Sequence, residues 1–170
     1  MKKIAVVMGS ASDAEVVSKA TAVLDRFGAE YEVHVFSAHR TPDEAKAFAE
    51  SARQKNIGAI IAAAGMAAHL AGAIAANTTL PVVGIPVKSG AFNGLDALLS
   101  TVQMPSGIPV ATVAVDGAAN AALLCLEMLA ICDDGLADKL EEYRHAEKQN
   151  VLAKNAEIEK RFVNYNKEEN

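Results

Sequence analysis

Short apolar runs alternate with stretches of helical periodicity along most of this chain, and that alternation narrows the possible folds more than any other property of the sequence. Ile4 to Met8 is a continuous β-branched and apolar run, the pattern of a parallel strand covered on both faces. Asp13 to Phe27 then repeats apolar residues at helical spacing and stops at Gly28. Further strands are predicted over Tyr31 to Phe36, Gly58 to Ala63, Pro81 to Ile85 and Val110 to Val115, the last entered through Pro109. The helices between and after them are predicted over Pro42 to Gln54, Ala67 to Ala76, Leu95 to Val102, Ala118 to Ile131 and from Leu136 to beyond Arg161. Strand–helix units in succession imply a three-layer α/β fold with a parallel sheet and right-handed crossovers. No repeat or low-complexity linker divides the chain, and 170 residues suit one domain with a sizeable core.

Charge removes several classes of partner. A formal net charge of -5 and a pI near 5.4, without a dense Lys/Arg stripe, argue against nucleic acid or an anionic membrane as the main partner. A small anionic ligand stays open, because one local basic site is enough. The start, Met1-Lys2-Lys3 and a brief apolar run, is too short for a secretory signal. No apolar run reaches the ~18 residues of a membrane helix, so the expectation is a soluble cytoplasmic protein. Cys125 and Cys132 fall in one helical pattern about 10 Å apart, beyond the ~7 Å reach of a disulfide. Both are expected in the core on one helix face. No histidine or second thiol lies close enough in sequence to suggest a metal site.

Ligands of open α/β sheets bind beyond the carboxyl ends of the strands, which directs attention to the strand-to-helix turns. In the first, Gly9-Ser10-Ala11-Ser12-Asp13, a glycine permits close backbone approach and two hydroxyls flank a helix N-terminus. Either Ser12 or Asp13 simply caps the helix, or the turn holds a phosphate with Asp13 accepting from sugar hydroxyls. The second turn is Ser37-Ala38-His39-Arg40-Thr41-Pro42. Pro42 suits the first helical position, Thr41 suits the cap, and Asp43-Glu44 favour the positive helix end. His39 and Arg40 have no such structural explanation. They are either exposed loop residues or a proton carrier beside a phosphate fork. The third turn, Ala64-Gly65-Met66-Ala67-Ala68-His69-Leu70-Ala71-Gly72, has His69 as its one ionisable group and small residues that let main chain approach a ligand. His34 in a strand and His145 in the charged last helix read as structural.

Together, Gly-Ser-x-Ser-Asp, Ser-Ala-His-Arg-Thr-Pro and Ala-Ala-His-Leu, each at a strand end, closely resemble the bacterial class I 5-(carboxyamino)imidazole ribonucleotide mutases of purine biosynthesis, the PurE family. The likeness continues through Pro86-Val87, Asn93-Gly94-Leu95-Asp96, Val102-Gln103-Met104-Pro105, Gly107-Ile108-Pro109-Val110 and Asn120-Ala121-Ala122, covering roughly residues 3 to 130. Two departures fall in the third turn. Met66 stands where the family usually has a second glycine, and Ala71 where it has proline.

The resemblance implies a flavodoxin-like or Rossmann-like sheet in a single domain over residues 1–170, with 136–166 a helical extension that packs on neighbouring subunits of a homo-octamer. It implies transfer of the carboxylate from the exocyclic nitrogen of a phosphoribosyl aminoimidazole nucleotide to carbon 4, with no metal, nucleotide cofactor or ATP. His39 would shuttle the proton. Arg40 would hold the phosphate with Gly9, Ser10 and Ser12, and Asp13 the ribose. Amides around Ser37, Ala38 and Gly65, with Ala68, His69 and Leu70 nearby, would bind the migrating carboxylate. The nearest rival is the class II carboxylase, which uses free carbon dioxide and whose motifs read Ser-Ala-His-Lys and Ser-Asn; Arg40 and Ala68-His69 favour the mutase. A non-enzymatic flavodoxin-like binding or signalling domain is the other rival. It lacks support, because a receiver would want an aspartate where Ala62-Ala63-Ala64-Gly65 stands and a flavin site would want aromatic loop residues.

Overall fold

Alternate residues of the central strands feed two separate cores, which is what makes this a three-layer molecule. In the computed structural model, which describes residues 1–163, strand β1 (Lys3–Met8) sends Ile4, Val6 and Met8 to one face and Ala5 and Val7 to the other. The first face packs under α1 (Ala14–Phe27), α5 (Ala118–Ala130) and the start of α6 (Asp134–Arg161), through Val17, Leu24, Ala121, Cys125, Leu126 and Leu136. The second packs under α2 (Pro42–Ser51) and α3 (Leu70–Ala75), through Phe48, Ala49, Leu70 and Ile74. Strands β2 (Tyr31–Val35), β3 (Ile57–Gly65), β4 (Val82–Val87) and β5 (Ala111–Thr112) complete a sheet of order β2-β1-β3-β4-β5, every pairing parallel. Helix α4 (Leu95–Val102) follows β4. The expected flavodoxin-like α/β fold with a long C-terminal helix is present. Residues 164–166 of the expected C-terminal extension lie outside the described residues.

Several predicted boundaries move, each for a local reason. The third helix was expected from Ala67 but begins at Leu70, because residues 65–69 form a tight turn with Met66 in the left-handed region at φ +56°. Strand β5 pairs only at Ala111 and Thr112, rather than over Val110 to Val115. It is an edge strand, and beyond Thr112 it keeps only single bonds to β4, from the Val113 N–H to the Gly84 carbonyl and from the Asp116 N–H to the Pro86 carbonyl. This departure of β5 lets β4 run on through Pro86. The carbonyl and nitrogen of one residue in a parallel strand face the same neighbour, so the missing Pro86 donor points where β5 has ceased to pair. Cys125 is buried on α5, and burial pushes its thiol up to about 12. Cys132 lies past the end of α5 and is exposed, contrary to the expected core position.

The strand order places the switch between β1 and β3. The chain leaves β1 for β2 on one side and returns to β3 on the other, so the crossovers diverge and a crevice opens at their carboxyl ends.

Candidate active site

A cavity of about 540 Å³ occupies that crevice. All of the predicted site residues except Ala68 line it: Gly9, Ser10, Ser12 and Asp13 after β1, Ser37, Ala38, His39 and Arg40 after β2, and Gly65 at the end of β3 with His69 and Leu70 after it. Ala68 is buried beneath the third turn, off the cavity wall. Ala64, Met66 and Ala67 of the third turn, and Ser89, also line the cavity.

The first turn closes on itself through its own side chains. Asp13 stands at the cap position of α1 without a side-chain capping bond to it, and Ser10 caps the short turn before: its Oγ accepts from the Ser12 N–H at 3.3 Å, while Asp13 Oδ2 accepts from the Ser10 N–H at 3.2 Å. This reciprocal capping box opens a short 3₁₀ turn (Ala11–Asp13) that leads into α1. Ser12 Oγ donates to Ser10 Oγ at 2.8 Å, so both hydroxyls sit side by side at the cavity wall. Asp13 is 8% exposed. Burial raises its carboxyl above the ordinary value, against the opposing pull of the Ser10 amide, the Ser12 hydroxyl and the Arg40 charge. At Gly9 an added Cβ would meet nothing in the chain nearer than 3.7 Å, so internal packing does not require the glycine.

In the second turn Thr41 holds the cap position of α2, as expected, but its side chain makes no capping bond to the helix. Its Oγ1 accepts from the Ser37 N–H at 2.8 Å and its hydroxyl donates to the Ser37 carbonyl at 3.2 Å, while the Thr41 N–H reaches the same carbonyl at 2.8 Å. The Ser37 amide is thereby occupied. Among the described residues the N–H groups of Ala38 and His39 find no acceptor, which leaves them available to a ligand. Arg40 Nη2 donates to the Gly9 carbonyl at 3.1 Å and its Nε lies 3.4 Å from Ser37 Oγ, so the guanidinium bridges the first two turns.

The third turn brings the second histidine to the first. His69 Nδ1 lies 3.3 Å from His39 Nε2, with ring centroids 5.3 Å apart. Of those two facing nitrogens, one must supply the hydrogen and the other the lone pair. Gly65 is required here, since a Cβ would stand 2.5 Å from Ser89 Oγ. That hydroxyl accepts from the Met66 N–H at 2.9 Å. Ser89 follows the end of β4 as the other site residues follow β1, β2 and β3, and this position was the signal that could have identified it. The remaining histidines are structural: His34 stacks on Phe36 and bonds Glu32, and His145 is exposed on α6. No cluster of three or more His, Cys, Asp or Glu side chains suited to a metal ion forms among the described residues, and none of the helices there is long and apolar enough to cross a membrane.

A crevice with paired histidines, an arginine fork and a hydroxyl-lined turn suits a small phosphorylated ligand that undergoes proton transfer. The family described as AIR carboxylase matches residues 3–150. An N5-carboxyaminoimidazole ribonucleotide mutase from Pyrococcus abyssi is 54% identical over 144 residues, covering 85% of this chain and 83% of its own. The protein of that name from Bacillus subtilis is 52% identical over 151 residues, covering 88% and 93%. A phosphoribosylaminoimidazole carboxylase from Saccharomyces cerevisiae is 47% identical over 156 residues, 92% of this chain but 27% of that longer protein. The crystal structure of Treponema denticola PurE superposes with a TM-score of 0.83 at 28% identity, covering 91% of this chain and 97% of that one. The chain belongs to the AIR carboxylase family.

Proposed function

We propose that the protein is a 5-(carboxyamino)imidazole ribonucleotide mutase acting in the cytoplasm in purine biosynthesis. The observation that carries this reading is the placement of His39 against His69, one residue from the Arg40 fork, at the mouth of a crevice also lined by Ser10, Ser12 and Asp13. In the reaction the bond from the exocyclic nitrogen to the carboxylate carbon breaks and releases carbon dioxide inside the crevice. The nitrogen takes up a proton, carbon 4 attacks the trapped carbon dioxide, and carbon 4 then loses its own proton. His39 carries that proton between carbon and nitrogen. Arg40, with the Ser10 and Ser12 hydroxyls, takes the phosphate, and the free amides of Ala38 and His39 suit the migrating carboxylate. Asp13 faces the ribose hydroxyls as an acceptor.

Relatives named as mutases and relatives named as carboxylases both exceed 45% identity, so overall similarity does not separate the two reactions. Arg40 and the Ala68-His69 pair favour the mutase. A mutase recaptures carbon dioxide before it escapes, because the nucleophile is already oriented beside it. Carboxyamino substrate labelled in its carboxylate should therefore pass the label to product in excess unlabelled bicarbonate. Complete dilution of the label, with efficient use of aminoimidazole ribonucleotide and dissolved carbon dioxide, would establish the carboxylase instead.

Assembly into a homo-octamer belongs to the same proposal. Phe92, Leu95, Leu99 and Val102 are exposed on and before α4, and Val151, Leu152 and Ile158 are exposed on α6. Two such apolar stripes exceed what a solitary chain leaves in water without a reason. Light scattering at micromolar concentration should find a closed oligomer, and truncation after Asp134 should lower both its mass and its activity. A monomer with full activity would overturn the assembly.

A further inference from the structure

We infer, on the reading proposed above, that Ser89 is a positioning residue whose hydroxyl holds the third turn in the left-handed conformation that presents His69 to His39. Met66 sits at φ +56°, where crowding of Cβ against the backbone penalises any residue but glycine. Its side chain is 65% exposed, so its own packing does little to offset that strain. Something else must keep the turn. Ser89 Oγ accepts from the Met66 N–H at 2.9 Å, and it can come so close only because Gly65 has no Cβ.

Ser89 is in turn fixed from behind. The neighbouring Lys88 N–H donates to Asp116 Oδ1 at 2.8 Å. Asp116, itself left-handed at φ +57°, donates its N–H to the Pro86 carbonyl at 2.9 Å. Hydrogen bonds thus tie the turn after β5 to Pro86 and Lys88, and the backbone carries that tie one residue on to Ser89 and its bond to the turn after β3. Within that last turn the Ala68 N–H donates to the Met66 carbonyl at 2.9 Å, and His69 follows directly, 3.3 Å from His39. If Met66 relaxed toward ordinary φ, the direction of the chain into His69 would change. The hydroxyls of Ser10 and Ser12 and the Arg40 fork lie on other turns and would stay in place.

The test is Ser89→Ala, made both in the natural chain and in a Met66→Gly background. In the natural chain kcat should fall ~10-fold while KM for the nucleotide stays within ~2-fold, since a left-handed non-glycine residue has lost its hold but the phosphate side is intact. Hydrogen exchange at the Met66 amide should accelerate by at least ~10-fold, because that N–H loses its acceptor. In the Met66→Gly background the kcat loss on Ser89→Ala should shrink below ~3-fold, because glycine adopts positive φ unaided. Equal losses in the two backgrounds, or unchanged exchange at Met66, would overturn the inference. Absence of carboxyl transfer by the natural protein would instead remove the proposed reaction, and the exchange measurement would still judge the role of Ser89.

Discussion

His39→Asn is expected to fold normally, to bind the carboxylated product, and to turn over at least ~100-fold more slowly than the natural enzyme, the usual loss when a general acid–base group is removed. Asparagine keeps polarity and approximate size but cannot carry a proton at neutral pH. The His39 ring is at the cavity mouth rather than in a core, and its side-chain hydrogen-bond partner is His69, so no packing is lost with it. Circular dichroism checks the fold, calorimetry the product affinity and a stopped assay the turnover. Near-natural turnover in the variant would remove His39 from the chemistry.

Arg40→Leu separates anchoring from chemistry. Deleting a charge-assisted, forked contact to phosphate should weaken nucleotide binding by about 1.5 to 3 kcal/mol, roughly 10- to 150-fold. The folding cost should be much smaller, because the guanidinium is exposed and gives up one bond to the Gly9 carbonyl and a longer approach to Ser37 Oγ. The dephosphorylated nucleoside provides the comparison: its affinity should change little on the same substitution. Equal weakening of nucleotide and nucleoside would make Arg40 a strut between the first two turns and nothing more.

Most of the architecture was legible because the inner strands obey a simple rule. Residues buried on both faces, such as Ile4 to Met8 and Ile57 to Ala63, must be apolar throughout. Legibility fails where tertiary partners decide. Val110 to Val115 has strand composition, yet it pairs at only two positions, since an edge strand depends on one neighbour. Ala67 to His69 has helical composition, yet the left-handed Met66 and its bond to Ser89 delay α3 to Leu70. The same holds for the site. His39 and Arg40 were visible as polar residues after a strand without a structural reason to be there, whereas Asp13 had a capping role open to it as well. Thr41 was legible as the residue at the cap position before Pro42, but that its hydroxyl closes back on Ser37 and not on the helix depends on the path of the turn. Ser89 went unremarked because a serine after a strand is ordinary until Gly65, from another strand, is seen to make room for it.

The last helix spans 28 residues, about 42 Å at 1.5 Å per residue, yet buries only Leu136 and Leu140. Among the described residues its furthest ties to the rest of the chain are the ion pairs of Arg144 with Glu127 and Glu147 with Arg26. Beyond Glu147 fourteen residues, 148–161, hold their helix by local bonds alone, near the length at which an isolated helix is only marginal in water. In a lone chain the cooperative unit therefore ends close to Glu147, and the helix over 148–161 frays at little cost in free energy. The boundary that thermodynamics draws and the boundary that the backbone draws differ by about four turns of helix. Among the described residues no hydrogen bond or ion pair to the rest of the chain brings them together.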